Sequence, residues 1–277
     1  MANECFQVSV EGGVAHLVMS RPEALNTMTP AFWRELPEIV REIDAGAKAR
    51  VIVLSSTGKH FTAGMDLSVF ASGLGIPQDA ELGRQREAFR RLVLLLQGSF
   101  SVFEQVRMPV LAAIQGGCIG GGVDMVCAAD MRYCTEDAYF RIEETNIGMT
   151  ADVGTLQRLP KIIPAGWARQ LAYTAEKLPA RKAEALGLVN TVYATQAEML
   201  TGVMEVARTI AAKSPLAIAG CKQALLYARD HSVQDSLEAI ASWQSGMFQP
   251  ADIMEAIQAR AEKREGVFAE LLPAVSL

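Results

Sequence analysis

The residues best suited to chemistry lie in Gln115-Gly-Gly-Cys-Ile-Gly-Gly-Gly-Val-Asp124, where five glycines fall within the seven residues from Gly116 to Gly122. The stretch separates an apolar run, Pro109 to Ile114, from a helix-compatible one, Val123 to Ala128. Glycines let the backbone approach a ligand closely, and a helix N-terminus offers unpaired N–H groups at the positive end of its dipole. That combination suits an anion, or an oxygen that gains negative charge during a reaction. Tight strand–helix packing accounts for the glycines equally well. The pattern is not Gly-x-Gly-x-x-Gly and no Gly-Lys-Ser/Thr closes it, so dinucleotide-fingerprint and P-loop readings fail on residue identity. A second loop, His60-Phe-Thr-Ala-Gly-Met-Asp-Leu67, follows the apolar run Val51 to Leu54. Ligands in open α/β sheets bind beyond the carboxyl ends of strands. Two such exits can each direct one backbone N–H at the same carbonyl oxygen.

Four carboxylates complete the set: Asp124, Glu143, Glu144 and Asp152. Glu143 and Glu144 follow the strand-like run Ala138 to Ile142, and Glu143 reads equally as a solvated strand-end charge. Asp152 sits among small and apolar residues in Met149-Thr-Ala-Asp-Val-Gly-Thr155. It is either the N-cap of a helix starting near Val153 or a buried acid. A carboxyl among apolar groups has its pKa raised, which suits proton transfer near neutral pH.

The elements that must position these groups follow from periodicity. Phe6 to Val10 and Val14 to Met19 read as strands joined at Gly12-Gly13. Thr29-Pro30 reads as an N-cap and first position of a helix to about Ile43, with Pro37 predicting a kink or break. Val51 to Leu54 and Pro109 to Ile114 suit doubly covered parallel strands. Residues 72–80 read as loop, Ala80 to Glu104 as a helix that Gly98 can interrupt, and Met131 to Cys134 and Tyr139 to Ile142 as short strands. From Gly154 onward the pattern is helical apart from Val189 to Tyr193. Strands alternating with helices predict an α/β fold with a parallel sheet. The apolar Ile240, Trp243 and Met247 of the helical end read as core or subunit interface.

Bulk properties narrow the class. The 277 residues carry 26 Lys+Arg against 31 Asp+Glu, a net charge of −5, with half the chain hydrophobic. Disorder and a general nucleic-acid surface are disfavoured. The longest apolar run, Leu92 to Leu96, is far short of a membrane helix. Five cysteines form no Cys-x-x-Cys pair, and His16, His60 and His231 stand far apart, so neither a disulfide scaffold nor a metal centre is expected. Met1-Ala-Asn-Glu4 has no secretory or transit pattern, and Val275-Ser-Leu277 lacks the basic residue of a peroxisomal signal, so a cytoplasmic location is expected.

Taken in order, Arg21-Pro-Glu-Ala-Leu-Asn26, Ala63-Gly-Met-Asp66, Gly116-Gly-Cys-Ile-Gly-Gly-Gly-Val-Asp124 and Glu144 four residues before Gly148 resemble the enoyl-CoA hydratase/isomerase (crotonase) superfamily over essentially the whole chain. The resemblance implies a spiral of ββα units over residues 1–200 and a helical oligomerisation region over 201–277, assembled as a trimer or a dimer of trimers. It implies an acyl-CoA thioester substrate, with coenzyme A as part of the substrate and no further cofactor or metal. The thioester oxygen is expected at the backbone N–H groups of Met65 and Gly121. Ala24, Ala63, Gly64, Asp66, Leu67 and Gly122 are expected to contact substrate, and Asp124 and Glu144 occupy the family's usual acid positions.

Departures from the hydratase pattern point to a branch. Hydratases typically carry Glu where this chain has Asp124, and lack an acid where it has Asp152. The run Gly148 to Pro160, with Asp130-Met-Arg-Tyr-Cys-Thr135 and Arg229-Asp-His-Ser-Val233, is similar to the dienoyl-CoA isomerases of the family, in which an acid lies eight residues after the glutamate. The implied reaction converts a 3,5-dienoyl thioester to the 2,4-isomer in the β-oxidation of unsaturated fatty acids. It needs a base at C2, an acid at C6 and donors for the dienolate oxygen. Glu144 is assigned to C2, Asp152 to C6 and Asp124 to tuning both, with the reverse assignment of the first two left open. Hydration, a Δ3-to-Δ2 shift by Glu144 alone, and a non-catalytic or RNA-binding relative are the alternatives.

Overall fold

A computed structural model describes residues 3–71, 75–76 and 79–275. Most of the loop expected over 72–80 lies outside them, as do Met1, Ala2, Ser276 and Leu277 at the termini. The main sheet has six strands: β1 (Phe6–Glu11), β2 (Val14–Met19), β3 (Val51–Ser56), β4 (Val110–Ile114), β6 (Met131–Thr135) and β9 (Thr191–Tyr193), in that spatial order. The hairpin β1–β2 is antiparallel and every other pair is parallel. Gly12 and Gly13 both have positive φ, the conformation a two-residue turn of this kind demands.

A second, three-stranded sheet is built from β5 (Gly117–Ile119), β7 (Tyr139–Arg141) and β8 (Leu178–Pro179). Each of β4 and β6 thus leads at once into a strand of the smaller sheet, which is the ββα repeat. Gly116 makes the corner after β4: its φ is +56°, and a Cβ there would lie 2.1 Å from the carbonyl oxygen of Lys59. No other residue fits. β8 went unanticipated because it is two residues long and ends in proline, which sheets tolerate only at edges.

Both faces of the main sheet are covered at its centre, so β4 and the first four residues of β3 are apolar. Ile52 and Leu54 of β3 face the larger core beneath α1 (Pro30–Ala45), α3 (Leu82–Gln105) and α4 (Gly121–Ala128). Val51 and Val53 face α8 (Gln196–Ala211) through Met199, Val203 and Ala207. The division expected at residue 200 falls inside this helix. Burying one such side chain contributes roughly 2 kcal/mol. The helices α2 (Leu67–Ala71), α6 (Ala165–Thr174) and α7 (Ala180–Ala185) lie in the connections between strands, and beyond α8, α9 (Pro215–Ala228), α10 (Val233–Met247) and α11 (Pro250–Glu262) expose much apolar surface.

Neither α1 nor α3 is broken where a break was expected. α1 runs unbroken through Pro37. Proline has no N–H for the Trp33 carbonyl, and the hydroxyl of buried Ser99 on α3 donates to that oxygen instead at 3.1 Å. α3 likewise continues through Gly98. Thr29 caps α1 as expected, accepting from the Phe32 N–H. Among the described residues no helix is long and apolar enough to cross a membrane.

Candidate active site

The motif Arg21–Asn26 folds into a 3-10 turn over Pro22–Ala24 whose geometry is set by Asn26. Asn26 is buried at a positive φ; its Oδ1 accepts from Arg21 N, and its Nδ2 donates to the carbonyls of Thr57 and His60. This pins the first loop to the exit from β3. The backbone then runs beside that exit: Met28 N donates to Gly64 O and Asp66 N to Met28 O. Asp66 holds the corner, accepting from the backbone N–H and hydroxyl of Ser68 and from the Thr27 hydroxyl, and these bonds depress its pKa.

This pairing turns Met65 N away from Met28. Met65 N and Gly121 N find no acceptor among the described residues. The two loops are in close contact: Thr62 and Cys118 form a bridge, and a Cβ on Gly64 would lie 2.8 Å from Ile119 O and 3.5 Å from Gly121 N. Gly64 has φ +86°, so glycine is required there on both counts. Gly121 opens α4, so its amide has no partner within the helix, whereas Val123 N already donates to Gly120 O.

A cavity of about 490 Å³ lies against these donors. Ala63, Gly64, Met65, Asp66, Leu67, Gly121, Asp124, Glu144 and Asp152 all line it, together with Glu143. Ala24 and Gly122 do not line it. Gly122 is packed where a Cβ would lie 2.5 Å from Thr62 Cγ2, so that glycine serves loop packing.

The carboxylates differ in environment. Asp124, on α4, is 1% exposed; its Oδ1 accepts from Thr155 N at 2.6 Å and its Oδ2 is buried without a partner. Burial is the main cause that lifts its pKa to about 6, with the Thr155 hydrogen bonds opposing and the charge of Asp152 assisting. Glu144 begins a 3-10 turn over Glu144–Ile147 and reaches back over Gly120; its Oε2 is also buried and unpartnered. Burial first, then the charges of Asp124 and Asp152, raise its pKa to about 7. Asp152 is half-buried, and desolvation raises its pKa too. Glu143 is turned to Arg141, whose Nε lies 2.7 Å from Glu143 Oε2.

Asp152 is not a helix cap. The helix begins at Thr155, as α5 (Thr155–Arg158), its N-cap is Gly154 at φ +138°, and no side chain caps it there. The Thr155 amide goes to Asp124 instead. The backbone of Asp152 is held by Gln97 Nε2, which donates to its carbonyl at 2.7 Å.

Residues that sequence reasoning passed over now appear. Trp33 of α1 lines the cavity opposite the acids, and its indole N–H donates to Met65 Sδ at 3.3 Å. Only its place on the buried face of an amphipathic helix hinted at this. Arg158 anchors α5 by donating to Ser101 and Glu104 of α3. Arg229 pairs with Glu104 from the other side, and Asp230 pairs with Lys161. Arg132 is buried and donates to the carbonyls of Leu188, Val126 and Ala129. The motifs around residues 132 and 229 therefore brace the wall behind the acids.

The sequence profile described as enoyl-CoA hydratase/isomerase matches residues 9–271. The chain is 45% identical over 264 residues to the mitochondrial Δ(3,5)-Δ(2,4)-dienoyl-CoA isomerase of Mus musculus, covering 95% of this chain and 81% of that protein. It is 40% identical over 269 residues to the peroxisomal Δ(3,5)-Δ(2,4)-dienoyl-CoA isomerase of Arabidopsis thaliana, covering 97% of each. Among solved structures, the enoyl-CoA hydratase of Bacillus anthracis superposes with a TM-score of 0.85 at 28% identity, covering 96% of this chain and 99% of that one. Profile, relatives and superposition agree with the paired loops and their acid-lined cavity: the chain belongs to the enoyl-CoA hydratase/isomerase family.

Proposed function

We propose that this protein isomerises 3,5-dienoyl-CoA thioesters to 2,4-dienoyl-CoA. The observation that carries this reading is Asp152: it lines the same cavity as Glu144 and Asp124, has a raised pKa, and caps no helix. A hydratase has no use for an acid further along the acyl chain. The similarity to dienoyl-CoA isomerases along nearly the whole chain supports the same conclusion.

In the proposed cycle the thioester oxygen accepts hydrogen bonds from Met65 N and Gly121 N. Glu144, in its ionised form, takes a proton from C2. The electron pair delocalises as a dienolate with charge on the thioester oxygen, where each donor is worth roughly 3–4 kcal/mol. Asp152, in its acid form, delivers a proton to C6, and exchange with solvent resets the two carboxyls. Asp124 lies behind both, and its charge helps raise the pKa of Glu144. In this reading the chemistry draws on these carboxyls, the two backbone donors and the substrate, of which coenzyme A is a part. Ala24, Ala63, Gly64, Asp66, Leu67 and Gly122 belong to the loops assigned to coenzyme A and acyl recognition. A homo-oligomer accompanies this reading, because Met247 and Phe248 are 47% and 52% exposed while Trp243 of the same region packs on Gly220.

The test is an absorbance assay with a 3,5-dienoyl-CoA, whose conjugated product absorbs in the near ultraviolet. Asp152→Asn is expected to lower turnover by ~10²–10⁴-fold, the usual worth of a positioned acid. Its melting temperature should hold, and deuterium should still wash into C2. Near-normal turnover in this variant would overturn the assignment.

A further inference from the structure

Beyond C6 an acyl chain has to leave the cavity that holds the acids, and two neighbouring spaces adjoin it. One, of about 400 Å³, meets it at Val153 and is walled by Ser101, Glu104, Gln157, Arg158 and Arg229. Glu104 stands there between two guanidinium groups. An alkyl chain in that space would strip water from charged groups and offer them no partner in return. The other space, of about 720 Å³, lies between α1 and α3. Pro37, Val69, Leu92, Leu95, Leu96 and Gly98 contribute its apolar lining, while the charged Arg34, Glu38 and Arg41 are exposed at its edge.

Trp33 and Met65 line both this chamber and the acid-bearing cavity. They form a wall held from several sides. The indole N–H donates to Met65 Sδ, the indole packs on Phe100 with ring centroids 4.9 Å apart, and the Trp33 carbonyl is fixed by Ser99. Met65 also carries one of the two unpaired amides, so the wall begins where the thioester oxygen is expected.

We propose that the acyl chain beyond C6 lies in the α1–α3 chamber, and that Trp33 and Met65 are the specificity-determining partition that sets which chain lengths the site accepts. The carbon numbering rests on the dienoyl-CoA reading, whereas the chamber's role in holding an alkyl chain is testable without it. Gly98 offers the cleanest probe. A Cβ there meets no atom within 4 Å, and leucine is a better helix former than glycine, so Gly98→Leu folds and fills the chamber.

The experiment is titration calorimetry of saturated acyl-CoAs, from hexanoyl to tetradecanoyl, with the wild-type protein, Gly98→Leu and Trp33→Phe, beside the dienoyl assay on the wild type. Wild-type affinity is expected to rise with chain length by up to about fourfold per methylene until the chamber is full. Gly98→Leu is expected to lose ~10-fold or more for tetradecanoyl-CoA while hexanoyl-CoA, the internal reference, changes little. Trp33→Phe removes the bond to Met65 and should move the preference toward longer chains. Equal losses at every length in Gly98→Leu, or no loss at any, would overturn the proposal. Length-selective binding without dienoyl turnover would instead overturn the activity and leave the chamber standing.

Discussion

The two walls of the cavity are built on opposite principles. The donor wall, from Gly64 to Leu67 with Gly120 and Gly121, presents backbone amides, and its glycines matter by the side chains they lack. The acid wall, from Glu143 to Val153 with Asp124 behind it, presents carboxyls whose backbone is merely held in place. Amides oriented by chain crossings cannot be removed by one side-chain substitution. They can only be displaced by adding atoms where glycine is required, at Gly64 above all. Carboxyls can be neutralised isosterically with the fold left intact. The donor wall is therefore fragile to bulk and the acid wall to loss of charge.

The largest effect expected from the acid wall is that of Glu144→Gln. It should lower turnover by ~10²–10⁴-fold and stop deuterium entry at C2, with the melting temperature unchanged or raised. Retained C2 exchange would move the base elsewhere.

On the donor wall, Gly64→Ala places a Cβ 2.8 Å from Ile119 O at a φ of +86°. Displacing Met65 N should cost ~10²–10³-fold in kcat. Unlike the acid variants, it should also destabilise the fold by about 1–2 kcal/mol, read from urea unfolding. A stable variant with full kcat would erase the distinction between the walls.

Asp124→Asn tests how the acids are coupled. The Asp124 charge helps raise the Glu144 pKa to about 7, so its removal should shift the acidic limb of the kcat/KM profile to lower pH. It also bears on stability. The folded-state pKa of Asp124, about 6, exceeds the unfolded value of about 4. Its contribution is therefore full below about pH 4 and is lost as pH rises through about 6, a change of roughly 3 kcal/mol. Urea midpoints measured across this range should fall in the wild type and flatten in Asp124→Asn. An unshifted profile with an unchanged slope would show that the carboxyls act independently.

The smallest effect lies outside both walls. Thr29→Ala removes the α1 cap and should cost about 1 kcal/mol with unaltered chain-length preference. A change in preference would mean that the seat of Trp33 depends on the start of its helix.

Much of the scaffold is legible because it is local. The Gly12-Gly13 turn, the Thr29-Pro30 helix start and the apolar runs of β3 and β4 each encode their conformation within a few residues. Where partners are distant, the reading fails. Pro37 ought to interrupt α1, but Ser99, 66 residues away from Trp33, serves the orphaned carbonyl. Asp152 looks like a cap, but the amide it would cap is taken by Asp124, 31 residues from Thr155. Trp33 drew no notice along the sequence, yet it is buried in the core and lines two cavities at once.

The identities and order of the chemical groups were determined by the sequence alone. These are the glycine corners, three acids at set positions and apolar strands that demand cover on both faces. Their motifs sufficed to point to the family. Tertiary structure alone decided which groups are buried, which carbonyls and amides find partners, and therefore which acids hold their protons near neutral pH. Desolvation and hydrogen bonding depend on what the whole chain brings within a few ångströms. No window along the sequence contains that information.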